Sequence, residues 1–400
     1  MTKRLTIYLG LLAGFAFIIY SCAKDETIIN TLDDQEITTQ QSQVIDGQYI
    51  VVFNEGAIEL GRADISAANY WEVRAQVAEA AQAILRENRI VDRELLQTYA
   101  KVYQGIALNL DQEELARLKA DRRVNFIEQD QTVHVTMGGP PGGGGGGGGQ
   151  STPWGVTRVG GPVAGANAGT AWIIDSGIDL DHPDLNVNTA LSATFLGGNS
   201  TPDDQNGHGT HVAGTVAAIN NDIGVVGVAA GAPVVSVRVL DRRGSGAYSG
   251  VIAGVDYVGA LASNGDAANM SLGGGASSAL DAAVIAASGS CPFALAAGNE
   301  STNANNSSPA RANGNNVYTV SSMTSTDNWS SFSNYGNPPV DYCAPGSSIP
   351  STYKDGGYAT LSGTSMAAPH VCGILLLGNV SSDGTVNGDP DGNPDPIAHL

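Results

Sequence analysis

Apolar positions along this chain fall into three regimes. The first is one unbroken run over residues 5–20, preceded by Lys3 and Arg4. It is short for a membrane span, and a basic flank ahead of an apolar run is the layout of an export signal. The pattern predicts a signal over residues 1–22 and a polar tether over 23–46, where Gln, Thr and Asp dominate. The second regime, residues 47–136, alternates short elements. Residues 48–53 read as a strand, 67–89 as an amphipathic helix, and 99–110 alternate as strands do. Residues 111–118 read as a helix capped by Asp111, and 124–128 as a closing strand. The order β-α-β-α-β predicts a small α+β domain of the split βαβ kind. Residues 137–149 are mostly glycine and predict a flexible linker that a protease would find exposed.

The third regime, residues 150–400, carries longer apolar segments. Residues 171–174, 234–240 and 293–297 read as buried parallel strands. Helices are expected from His208, over 248–263 and over 279–288. The alternation predicts an α/β domain, a parallel sheet flanked by helices. In such sheets the functional groups gather at the carboxyl ends of the strands. Asp175 and Asn299 both fall just after predicted strands.

Composition narrows the function. The net charge is −20, only 14% of residues are charged, and 52 of the 400 are glycine. No Lys/Arg cluster is present that would neutralise phosphates, so nucleic-acid binding is not expected. Low charge with abundant Gly, Ala, Ser and Asn fits a tightly packed extracellular protein rather than a disordered one. A monomer is expected. Export would permit disulfides, but Cys291, Cys343 and Cys372 cannot all pair, and no CxxC spacing appears. Burial of free thiols is the default.

Three segments carry chemistry: Ile174-Asp175-Ser176-Gly177-Ile178-Asp179; Asn206-Gly207-His208-Gly209-Thr210-His211-Val212-Ala213-Gly214; and Gly363-Thr364-Ser365-Met366-Ala367-Ala368-Pro369-His370. A serine hydroxyl is a poor nucleophile near neutrality and needs a base in reach, and imidazole titrates in the right range. The imidazole needs an acceptor on its far nitrogen. Ser365 is therefore read as nucleophile, His208 as general base and acid, and Asp175 as its orienter. Asn299, with the Ser365 backbone amide, would supply donors to a tetrahedral oxyanion. Each segment alone is weak, since Asp-Ser-Gly and Asn beside Gly are ordinary turns. Together, in the order Asp, His, Ser, they resemble the subtilisin-like serine proteases, the subtilases. The resemblance covers the chain from about Gln48 onward.

That resemblance implies an endopeptidase acting on protein or peptide substrates through an acyl-enzyme. It also implies that residues 47–136 are a propeptide that assists folding and blocks the cleft. His211 and His370 are read as packing residues. Ser271, Leu272 and Gly273 resemble the family's edge segment that pairs with substrate backbone, and Ser245 and Gly246 the opposite edge. Tyr248 would line an apolar pocket, and Glu300 would lie near the primary pocket. Calcium is the one cofactor implied. Its oxygen ligands would come from Gln150, Asp184 and Asn221, with the carbonyls of Ile219, Ile223 and Val225. A second calcium site of proteinase-K-type members has Thr324 where an aspartate is placed, with Asp327 displaced. The acidic tail from Ser381 is expected to be solvated.

At the N-terminus, Ile19-Tyr20-Ser21-Cys22 resembles a bacterial lipobox whose cysteine is lipidated. The following Lys24-Asp25-Glu26 resembles the sequence that sends some Gram-negative lipoproteins to the cell surface. This implies an exported protein that meets the membrane through its signal or a lipid on Cys22. A plain secretory signal is the alternative. Two other classes compete with the enzyme reading. A degenerate subtilase fold serving as a surface binding module would lack the intact Asp175, His208, Ser365 and Asn299. An α/β-hydrolase esterase would show G-x-S-x-G and the order Ser, Asp, His, and neither is present.

Overall fold

The computed structural model describes residues 43–60, 64–135, 142–143 and 149–400. The signal, Cys22, the tether up to residue 42 and most of the glycine-rich linker lie outside the described residues. Two linker residues, Gly142–Gly143, pair with Ala359 and Thr360.

The first described domain is built from β1 (Val44–Phe53), α1 (Tyr70–Glu87), β2 (Leu95–Tyr99), β3 (Gly105–Asn109), α2 (Gln112–Lys119) and β4 (Val124–Val135). The order is β-α-β-β-α-β, one strand more than the sequence pattern suggests. The alternation over 99–110 contains the end of one strand, a connection and a second strand. Asp111 starts α2 through a capping box with Glu114, which satisfies donors at both ends of the turn. β1 pairs antiparallel with β3 and β4. Val73, Val77, Ala81, Ile84 and Leu85, spaced for one helix face, bury α1 against Val51, Ile106 and Leu108. The closing strand does not end at residue 128. It runs on to Val135, away from this small core and into the second domain.

The second domain holds a nine-stranded sheet. Its strands are β5 (Ala171–Asp175), β6 (Ala193–Thr194), β7 (Val234–Arg238), β9 (Ala267–Met270), β11 (Phe293–Ala296), β12 (Val317–Met323), β13 (Val340–Pro345), β14 (Ser381–Thr385) and β15 (Pro396–His399). The spatial order is β14-β15-β13-β12-β11-β9-β5-β7-β6. Every pairing is parallel except β14 with β15. Helices α3 (His208–Ala217), α4 (Tyr248–Leu261), α5 (Ser278–Ala287) and α6 (Thr364–Leu377) cover the sheet. Two short strands, β8 (Ser245–Ala247) and β10 (Leu272–Gly275), stand outside it. The chain passes from β5 to β7 on one side and to β9 on the other. That reversal puts the ends of β5 and β9 at a switch point, where a crevice opens above the sheet.

β4 joins the two domains, because it pairs with β8 and β10. Three carboxylates hold the same interface. Asp256 of α4 is fully buried and accepts the amides of Ala100, Lys101 and Val102 and the Tyr70 hydroxyl. Asp130 accepts the amide of Ser249 in the first turn of α4. Glu128 accepts the amides of Ser278 and Ala279 at the start of α5. Carboxylates at helix N-termini satisfy orphan amides and meet the positive end of the dipole.

The tail departs from expectation. β14 is exposed along its length, but β15 joins the sheet beside β13, and Asp395 just before it is buried. Strand pairing at Cys343 and Ile397 recruits a segment whose composition reads as solvated. Cys291, Cys343 and Cys372 are free and buried.

Asp395 Oδ2 accepts the Ser321 hydroxyl at 2.6 Å, while Oδ1 is buried without a partner among the described residues. Burial, then the charges of Asp389, Asp391 and Asp341, push its pKa up to about 7. The folded state thus binds this proton more tightly than the unfolded chain. Its contribution to stability is complete below the ordinary aspartate range of about 4. That contribution is lost as pH rises through about 7. Asp395→Asn is therefore expected to raise the thermal midpoint relative to wild type at pH 8, on the order of a few degrees, and not at pH 4. Denaturation followed by circular dichroism at both pH values checks this. A difference that is the same at both would count against it.

Candidate active site

Asp175 is the last residue of β5 and His208 the first of α3, 33 positions apart in sequence. His208 Nδ1 lies 2.8 Å and 3.0 Å from the two Asp175 oxygens, and both side chains are buried. With Nδ1–H donating, Nε2 is left as the basic nitrogen. That nitrogen is buried and makes no hydrogen bond among the described residues. The approach of helix to strand demands glycine at position 209. A Cβ there would stand 2.1 Å from the Gly177 carbonyl oxygen and 3.1 Å from the Asp175 side chain.

Ser365 is in the first turn of α6 and sits against the end of β9. Its hydroxyl donates to the Ser271 carbonyl at 3.1 Å, and the Ser271 hydroxyl donates to the Ser365 carbonyl at 2.9 Å. Asn299 completes the cluster. Its Oδ1 accepts the Thr364 amide at 2.9 Å and the Thr364 hydroxyl at 3.1 Å. Those bonds fix which way the carboxamide faces. Its Nδ2 is buried and has no acceptor among the described residues. An orphaned buried donor is costly to keep, and a developing oxyanion is the group it would serve. Asn334 braces the same loop. It donates to the Ala297 carbonyl at 3.0 Å and to the Glu300 carboxylate at 2.6 Å, and accepts from the Glu300 and Thr302 amides. Glu300 itself is exposed.

Ser245 and Gly246 lie on β8, Leu272 and Gly273 on β10, and β4 runs antiparallel between them. Leu272 faces Val135 and Gly273 faces His134, while Ser245 faces His134 and Gly246 faces Val133. A strand laid between two edges is recognised by its backbone, with alternate side chains entering pockets. Val133 is fully buried in the cluster that contains Tyr248 and Leu240. The Tyr248 hydroxyl donates to the Gly275 carbonyl at 2.6 Å.

His211 and His370 are buried away from this chemistry. The His211 ring meets the Ile349 carbonyl, and burial pulls its pKa down to about 3. The His370 ring meets the Met366 carbonyl, and burial pulls its pKa down to about 4. Both are neutral packing groups at physiological pH.

The expected calcium residues converge elsewhere on the domain. Gln150 Nε2 lies 2.7 Å from the Ile219 carbonyl, 3.3 Å from Asn221 Oδ1 and 3.2 Å from the Val225 carbonyl. Asp184 accepts from Asn221 Nδ2 and from the Val225 amide. Ile223 enters through its amide, which donates to Asn221 Oδ1. Among the described residues no group of three or more His, Cys, Asp or Glu side chains is arranged to hold a metal. The Gln150 set is made instead of carbonyl, carboxamide and a single carboxylate oxygen donor, which suits a hard cation. At the second position considered from sequence, Asp327 is ion-paired with Arg158.

Comparison with known proteins follows the same division. A model describing the subtilase family matches residues 172–379, and one describing the peptidase inhibitor I9 family matches 48–136. The chain is 42% identical to alkaline serine exoprotease A of Vibrio alginolyticus over 286 residues, 68% of this chain. That alignment spans about half, 51%, of the Vibrio protein. It is 39% identical to subtilisin NAT of Bacillus subtilis subsp. natto over 294 residues, 70% of this chain and 72% of that one. Among solved structures, a cold-adapted subtilisin-like serine proteinase aligns with a TM-score of 0.50 and 46% identity, over 56% of this chain and 83% of the other.

Replacing Asn299 by leucine removes the fixed Nδ2 donor. The expected result is a fall in kcat for a peptide substrate of about 10²- to 10³-fold, with KM little changed. Steady-state kinetics on the purified variant checks this, and an unchanged kcat would remove Asn299 from the proposed role.

Proposed function

The chain belongs to the subtilase family, and from that premise we propose that it is a serine endopeptidase made as an inactive precursor that processes itself. The observation that carries this reading is β4, held between β8 and β10 along the edge that leads through Ser271 to Ser365. In the proposed reaction His208 Nε2 takes the proton of the Ser365 hydroxyl as Oγ bonds to the substrate carbonyl carbon. Asp175 holds the ring and stabilises the imidazolium. Asn299 Nδ2 and the Ser365 amide receive the oxyanion. The imidazolium then protonates the departing amine, leaving an ester on Ser365. Water, deprotonated by His208, hydrolyses the ester and restores the hydroxyl.

The same strand supports an inhibitory role for residues 47–136. Its backbone fills the place a substrate would take, and Asp256, Asp130 and Glu128 fasten the domain around it. The register also nominates a cleavage point. Leu272 faces Val135, which precedes Thr136 in the sequence, and Ser271 precedes Leu272 along the edge. The Ser271 carbonyl is the group that the Ser365 hydroxyl contacts. The bond following Thr136 is therefore the expected site. A lipid on Cys22 would stay with the released propeptide and hold the precursor at a membrane surface.

One experiment separates these steps. Wild type is expected to react with a fluorophosphonate at Ser365 and to lose its N-terminal part after Thr136. Ser365→Ala is expected to lose activity by about 10⁴- to 10⁶-fold, remain full length, and carry radiolabelled palmitate on Cys22. Mass spectrometry of both N-termini and membrane fractionation read the outcome. Processing of Ser365→Ala at the wild-type rate would overturn self-cleavage. An unlabelled, soluble precursor would favour the plain secretory signal.

We also propose that calcium binds at Gln150, Asp184 and Asn221, with the carbonyls of Ile219, Ile223 and Val225. The ion would supply structural stabilisation and no catalytic step. A ligand bound by the native state alone stabilises it by about 2.7 kcal/mol at a hundredfold excess over its Kd. Thermal inactivation is expected to be slower with calcium than with EDTA, and Asp184→Ala is expected to be insensitive to the difference. Equal wild-type half-lives after verified metal removal would refute the site.

A further inference from the structure

Asp204 is a buried carboxylate that takes no part in the chemistry described above, and it accepts five hydrogen bonds. Its Oδ1 accepts the Ser176 hydroxyl at 3.0 Å and the amides of Asn206 and Gly207 at 2.8 and 2.9 Å. Its Oδ2 accepts the amide and the hydroxyl of Thr210 at 3.0 and 2.7 Å. These donors come from two separate places in the chain. Ser176 follows Asp175, and its own amide donates to Asp175 Oδ1 at 2.7 Å. Asn206, Gly207 and Thr210 surround His208. Ser176 closes the ring, since its hydroxyl oxygen also accepts the Gly209 amide at 3.0 Å.

The helix start explains why an outside carboxylate is used. The residue that would cap α3 is Gly207, at φ +106°, and a Cβ there would strike the Tyr353 ring at 2.3 Å. No side chain can cap from that position, so the first-turn amides are shared out: His208 donates to Asn206 Oδ1, Gly209 to the Ser176 hydroxyl, and Thr210 to Asp204. The same group thereby sets the angle at which His208 leaves the helix relative to the Asp175 loop.

We propose that Asp204 is a positioning residue for the proposed hydrolysis, holding the Asp175 segment and the His208 helix in the register that their hydrogen bond requires. The inference rests on the serine-protease reading above. Arg238 braces the loop that carries Asp204, because its guanidinium donates to the Thr201 and Asp203 carbonyls.

The test uses the full chain, allowed to mature, with active sites counted by fluorophosphonate titration. Asp204→Asn keeps the volume but presents either a donor or a single acceptor to groups that all donate. Per titrated site, kcat is expected to fall about 10- to 100-fold, as misalignment of reacting groups does. KM is expected to hold. Ser176→Ala removes the hydroxyl that donates to Asp204 and accepts the Gly209 amide, and leaves the other four bonds to Asp204 in place. It is expected to lower kcat in the same direction by less, and it decides the matter if Asp204→Asn fails to mature. A residue that served folding alone would reduce the titrated fraction and leave kcat per site unmoved. That result in the variants would overturn the proposal. Failure of wild type to label at all would instead overturn the serine-protease reading.

Discussion

The contact between Asp175 and His208 is the constraint around which the second domain is arranged. A carboxylate and an imidazole, both removed from water, must meet within hydrogen-bond distance although one ends a strand and the other begins a helix. Burial makes the pair sensitive to its partners, because an unmatched charge in that place is strongly penalised. The surrounding residues answer that requirement. Gly209 lets the helix approach, Ser176 donates to Asp175, and Asp204 joins both segments. The sheet contributes by topology, since the reversal beside β5 brings β9 and Ser271 to the same end. Ser365 then reaches the site through its contact with the Ser271 carbonyl.

A second constraint acts on the interface between the domains. β4 supplies backbone pairing, which recognises any extended chain. Selectivity comes from charge placed at helix ends, with Glu128 at α5, Asp130 at α4 and, in the reverse direction, Asp256 on the amides of residues 100–102. These contacts are made mostly with backbone amides, with the Tyr70 and Ser277 hydroxyls added. They depend on where the two helices and the loop stand, rather than on matching side chains. The two domains thereby share one packed interface around that strand.

Much of the site was legible in the sequence because its residues lie in compact motifs. Asp175, His208 and Ser365 sit in strings of small residues whose spacing dictates a turn or a helix start. The strand at 293–297 pointed to Asn299. The edges around Ser245 and Leu272 were read from their resemblance to the subtilases, since a glycine-rich segment by itself is equally a surface turn. The residues that evaded this reading have no local signal. Asp204 looks like one of several acids in a polar loop. Asn334 looks like a turn residue, and Asp256 like the exposed position of an amphipathic helix. Each acquires its partners from segments far away in sequence.

The sequence by itself determined the α/β class, the two-domain division and the chemistry of the nucleophile. Periodicity and short-range spacing encode these, because they follow from dihedral preference and from which residue types can do which chemistry. Only the tertiary structure decided that β4 continues into the crevice, that the acidic tail returns to the sheet through β15, and that Asp395 is buried there. It also decided which of the many acidic residues are solvated and which hold the molecule together. The physical reason is that hydrogen-bond partnership and desolvation are properties of neighbours in space. A carboxylate costs little in water and much in a core, and its own segment does not record which of the two it will meet.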